Sequence, residues 1–185
     1  MVATNGPFGF LPIRHMGGGS TRPESIANAI NSGYGTSLST GQPVILTTSG
    51  VLNAVTAVGD EVYAIFAGVN YVDGNGNPQN LPNWPANATG TEIVVSLWMD
   101  PMIVYKVQAN GSVAATGRGA CADATSFGSA ANGFSQMAVS NNLSSAGQFR
   151  IIDKYLGPDN DFGDAYTVLQ VTIAKSQIIA QKSGV

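Results

Sequence analysis

His15 is the single histidine of the chain, and near neutral pH a histidine is the natural base for activating a serine or cysteine. It stands in "FGFLPIRHMGGG", Phe8 to Gly19, beside one of few arginines, Arg14. A serine partner would sit on a G-x-S-x-G elbow, and "GGGST" and "NGFSQ" both miss that spacing. Cys121, in "GRGACADA", has no second cysteine, histidine or aspartate at metal spacing and no partner for an intramolecular disulfide. It reads as a small buried thiol. Glycosidase chemistry needs two carboxylates across a cleft, but Asp60 and Glu61 share a turn and Asp159, Asp161 and Asp164 share the loop "GPDNDFGD". Acids in turns commonly bond to nearby backbone. For Asp159, Asp161 and Asp164 two readings stand: a simple turn, or a loop that binds calcium through carboxylate oxygens. "DGNGN", from Asp73, starts like an EF-hand loop, yet Pro78 interrupts it and Trp84 occupies the position of the bidentate glutamate. "GRGACA" has the letters of G-x-G-x-x-A without the strand, helix or downstream acid of a dinucleotide site. These residues point away from an enzyme and from any cofactor.

The elements that would position them must fold without much charge. Of 185 residues, 10% are charged, well below the usual quarter or so, while 44% are hydrophobic. The surface is therefore coated with Ser, Thr, Asn, Gln and Gly, which suits a protein held against other protein. A net charge of −3 with scattered Lys and Arg argues against nucleic acid or anionic membrane as partners. The first residues lack a basic and apolar leader, and no apolar run reaches the roughly 18 residues of a membrane span, which implies synthesis in a cytoplasm. Sequons at Asn87, Asn110 and Asn142 fall in turn-like polar stretches and read as turns.

Glycines and prolines spread between short apolar runs predict an all-β fold, a small barrel or sandwich with long loops. Strands are expected in "PVILTT", "GVLNAVTA" and "EVYAIFAGVNYV", then over Glu92 to Trp98 and Met102 to Gln108. In the last of these, Ile103, Tyr105 and Val107 form the inward face. A closing pair, "QFRIIDKYL" and "AYTVLQVTIAKSQII", should bury Thr167, Leu169, Val171 and Ile173. "NPQNLPNWPAN" should cross the surface, because its prolines donate nothing to a ladder, with Trp84 pinning it down. "RPESIANAINSG" fits a short helix or an extended segment equally. Residues 117–145, rich in Gly, Ala, Ser and Asn, are expected as a long loop and a candidate interface.

"GPFGFLPIRHMGGG", "GYGTSLSTGQPVILTTSGVLNAVTAVGDEVYAIFAGVNYVDGNG", "LPNWPA", "DPMIVYKVQ" and "TVLQVTI", in that order over most of the chain, resemble the head decoration, or cement, proteins of tailed bacteriophages. The central segment resembles the β-tulip type of decoration domain. The resemblance implies a small β-rich, non-enzymatic virion protein on the capsid exterior that clamps major capsid protein subunits, commonly as a trimer.

Two regions are then expected: residues 1–19 as an N-terminal arm with a glycine hinge, and residues 20–185 as a single β domain. In the arm, Phe8, Phe10, Leu11 and Ile13 would be extended, with Pro7 and Pro12 lowering the entropy lost on docking. Arg14 and His15 would end it with hydrogen-bond donors for the capsid, and Gly17 to Gly19 would be the hinge. The alternative is that this stretch is a first edge strand of the same subunit. A rival function is glycan binding, with Trp84, Trp98 and Tyr71 stacking on sugar rings.

Overall fold

Alternating Val, Ile and Tyr, interrupted by Gly, Asn and Asp, give strands separated by turns and loops along the residues that the computed structural model describes, 4–179. The chain opens with β1 (Leu11–His15), β2 (Glu24–Ala27), β3 (Leu38–Ser39), β4 (Pro43–Leu46) and β5 (Leu52–Ala54). β6 (Ala64–Asp73), β7 (Pro78–Leu81), β8 (Asn83–Trp84), β9 (Gly90–Trp98) and β10 (Ile103–Gln108) follow. Five two-residue strands come next: β11 (Cys121–Ala122), β12 (Ala124–Thr125), β13 (Ala130–Ala131), β14 (Phe134–Ser135) and β15 (Ala138–Val139). β16 (Phe149–Lys154) and β17 (Val168–Ile173) complete the set.

Two open antiparallel sheets carry the architecture, sandwich-like rather than a closed barrel. The first has the order β1-β10-β17-β16-β11, the second β2-β9-β6-β4-β5 with β7 also beside β6. The second sheet is one excursion of chain between β1 and β10. Each sheet has its own core. Ile103, Tyr105, Val107, Leu169 and Val171 face inward from the first sheet, packed with Phe10, Met137 and Phe149. Phe66, Val69, Ile93, Val95 and Leu97 of the second pack on Leu38 and Trp84. The inward faces read from alternation in β10 and β17 are those observed, including Thr167, which is fully buried.

The free arm gives way to the edge strand. Leu11 to His15 pair with β10, Phe10 is fully buried and its ring stacks on Phe149 with centroids 4.2 Å apart. Gly9 N–H donates to Met137 O and Phe10 N–H to Gly41 O, so the backbone before β1 is tied to the body as well. Gly9 has φ 73°, and a Cβ there would lie 2.8 Å from Ser135 Cβ, so only glycine lets the chain turn into the core here. The physical reason for the change is hydrophobic: burying such a ring contributes about 2 kcal/mol that a free arm would forgo. Residues 1–3 of the expected arm and 180–185 of the expected domain lie outside the described residues.

Three further expectations are corrected or resolved. "RPESIANAINSG" is extended as β2, not helical. The proline-rich stretch joins the ladders: Pro78 opens β7 opposite Val72, and Trp84 pairs with Leu38 in β8 and is fully buried. A proline at the first position of an edge strand takes no donor from the sheet. Residues 117–145 form small ladders instead of an uncommitted loop, with Ala122, Ala124, Met137 and Val139 buried in the first core.

Candidate functional site

β1 places Arg14 and His15 at the edge of the first sheet, and the two side chains have different fates. The His15 ring is clasped by its own chain: Nδ1 accepts from the N–H groups of Gly17 and Gly19 at 3.0 Å each. Nε2 meets Asp100 Oδ2 at 2.9 Å, which leaves Nε2 as the protonated nitrogen when the ring is neutral. A Cβ at Gly19 would sit 3.0 Å from Nδ1, so the glycines close around the imidazole. They are a lid on a side chain, not a hinge, and both ring nitrogens are occupied. Arg14 is exposed and spans β10 to reach Gln170 Oε1 at 3.4 Å.

The remaining members of the N-terminal set are split by burial. Phe10 is enclosed, Phe8, Leu11 and Ile13 are half-buried, and a bulge at Ile13 breaks the register between Pro12 and Arg14. Bulge and proline together blunt the free edge of β1 against uncontrolled strand pairing. Met16 N–H donates to Met102 O, which brings two exposed methionines, 47% and 42% accessible, to the end of that edge.

The acidic loop is a structured turn. Lys154 Nζ lies 2.7 Å from Asp161 Oδ1, and this hydrogen bond holds the Asp161 carboxyl below its ordinary value. Asp164 Oδ2 accepts from Asp161 N–H at 2.6 Å. Asp73 likewise serves its own turn, accepting from Asn75 and Asn77 N–H at 2.9 Å, and the Asn77 bond leads in lowering its pKa. Asp60 Oδ2 accepts from Thr56 and Ala57 N–H. Among the described residues no group of three or more His, Cys, Asp and Glu is placed to hold a metal ion. Trp84 and Tyr71, offered as sugar platforms, are buried against each other with ring centroids 5.1 Å apart, and Trp98 packs on the first core.

A cleft of about 780 Å³ opens between the β5–β6 connection and the end of the first sheet, lined by Val58, Cys121, Gly147, Arg150, Lys175 and Ile179. Cys121 is 3% exposed, and Lys175 Nζ donates to Gly59 O. Beneath lies Gln148, fully buried, whose Oε1 accepts from Ala124 N–H while Nε2 donates to Ala57 O and Asp60 O. Sequence alternation marks the outer face of the closing strand pair as one that could meet a partner. Gln148 and the placing of Lys106 beside Arg150 on that face were not singled out, because the register between β10, β16 and β17 is not carried by the sequence pattern.

Fold and site define an all-β protein of two open sheets with paired, structural polar groups. Comparison of the chain with protein-family models, with curated proteins and with solved structures finds no match.

Proposed function

We propose that the protein is a virion structural protein that binds the outer surface of a tailed-phage capsid and stabilises it by clamping neighbouring major capsid protein subunits as a homotrimer. The observation that carries this reading is the β1 edge: Leu11, Ile13, Met16 and Met102 line a partly apolar ridge on a chain otherwise coated with uncharged polar groups. Such a ridge suits a protein surface as partner, not nucleic acid or membrane. The ordered resemblance to decoration proteins supports the same reading, as does the β-rich fold. The contact set becomes Phe8, Leu11, Ile13 and Arg14, because Phe10 and His15 are engaged within the subunit. Each contact is weak alone. Three copies linked in a trimer raise effective concentration and multiply affinity by about 10²–10⁴. After synthesis in the host cytoplasm, such a clamp binds the lattice spacing it fits, so it favours expanded mature heads over precursors and opposes rupture by packaged DNA.

The test is a surface variant that leaves the core alone. Ile13→Asp combined with Met16→Asp should keep its circular dichroism and lose most co-sedimentation with undecorated heads, whereas undiminished binding would remove the β1 edge as the contact.

A further inference from the structure

Charge is segregated along this fold. From Pro23 to Tyr105 there is no lysine or arginine, while Glu24, Asp60, Glu61, Asp73, Glu92 and Asp100 all fall there. That stretch is the second sheet with its connections and the start of β10. All 8 Lys and Arg of the chain lie outside it. On the outer face of the first sheet the register gathers several of them. Lys106 stands opposite Leu11 and Gln170, Arg14 opposite Val104, and Arg150 opposite Thr172 and Cys121. Residues paired across strands share a face, and Lys106 and Arg150 point away from the buried Tyr105, Val107 and Ile151. Asp153, opposite Gln170 on the same face, is held by Arg118 at 2.9 Å. Lys106 and Arg150 have no acidic partner among the described residues. Phe8 and Tyr155 flank Lys106, with Nζ 5.4 Å from each ring centroid, and Leu156 stands 76% exposed beyond them. Aromatic rings and an arginine on a flat face have the composition of an interface centre.

We infer that the β17–β16 side of this face, around Arg150 and Tyr155 and apart from the β1 edge assigned above to the capsid, docks a second copy of the chain, which presents the far end of its own second sheet. Glu92 lies near the start of β9, whose other end leads into β10, so it stands about 20 Å along the strand from the junction of the two sheets. Asp73 pairs with Gly90 at that same end. The Glu92 carboxylate is exposed and makes no ion pair among the described residues; Glu24, opposite Leu97, and Glu61, just before β6, are likewise exposed but stand at the other end of the sheet. The molecule as a whole is net negative and repels its copies, but oriented head to tail it brings the acidic end onto a basic face. A contact between two different patches is heterologous and closes into a ring where the rotation permits. The inference deepens the trimer proposed above by naming the surfaces that form it.

The experiment is native mass spectrometry with sedimentation velocity on the intact protein and on Arg150→Glu and Glu92→Lys, from low to high ionic strength. Wild type should form an oligomer that dissociates as the Debye length falls from about 30 Å to about 3 Å. Each variant alone should associate at least about tenfold more weakly, and the double variant Arg150→Glu/Glu92→Lys should recover association, because every contact of its ring then joins a reversed patch to a reversed partner. Should Arg150→Glu fail to fold, Arg150→Gln with the wild-type salt titration decides the matter. A wild type that stays monomeric at low salt, or an oligomer indifferent to both substitutions, overturns the contact. A monomer that still sediments with heads would sink this interface and spare the head-binding reading. A salt-sensitive oligomer that ignores heads would do the opposite.

Discussion

His15 acquires its meaning from three glycines. An imidazole beside an arginine invites a catalytic reading, but Nδ1 already accepts two glycine amides and Nε2 is held by Asp100. His15→Ala should therefore cost about 1–2 kcal/mol in urea denaturation, the price of uncapping a turn that water can partly re-solvate. Gly19→Val should cost at least as much, since its Cβ alone would stand 3.0 Å from the ring. A stability change for neither would contradict the clasp. Tyr105 makes a second prediction at this scale. Burial, with the Asp100 charge adding to it, pushes its hydroxyl well above the ordinary range, and Oη donates to Trp98 O. Tyr105→Phe should leave the alkaline absorbance titration of the native protein unchanged while removing one phenol from that of the unfolded chain. A native titration that loses a group would show the ring to be open to solvent.

At the scale of elements, β1 is fixed by Phe10. Phe10→Ala removes a fully buried stacked ring and should cost about 3–5 kcal/mol, read as a lower urea midpoint with weaker exchange protection along β1. The Asp73 turn gives a pH dependence. Because the folded carboxyl titrates below 3.8, its contribution is complete above pH 3.8 and is lost as pH falls through the lower folded value. Hydrogen exchange at Asn75 and Asn77 should accelerate beyond its normal acid dependence in that window, and Asp73→Asn should abolish the step. Strong alternation made β6, β9, β10, β16 and β17 legible in the sequence, and with them the all-β class and the buried faces. Other elements were hidden for physical reasons. Pro78 and the small neighbours of Trp84 read as a surface crossing because β7 and β8 owe their place to β6 and β3, not to local propensity. Residues 117–145 bury Ala122 and Ala124, whose size gives no hydrophobic signal. For the site, His15 was visible as a residue, but its clasp depends on Asp100, which is 85 positions away.

The whole molecule is two cores joined both by apolar residues of the second sheet that pack in the first core, Ile45, Ile65 and Trp98, and by polar links. Gln148 joins the first sheet to the β5–β6 connection, so Gln148→Leu leaves three backbone groups unpartnered. On the order of 3 kcal/mol should be lost, and calorimetry should show less cooperative unfolding of the two sheets. A fully cooperative, unshifted transition would mean that the apolar contacts alone couple them. At the same scale lies the function. A charge-poor coat, an apolar edge and a charge-segregated body are what support the proposal of a subunit that sits among other subunits. The direct measurement is co-sedimentation of the purified protein with undecorated mature heads and with precursor heads, with native mass determined on the same sample. The account predicts saturable binding in multiples of three, stronger on mature heads; no binding to either kind of head would contradict it.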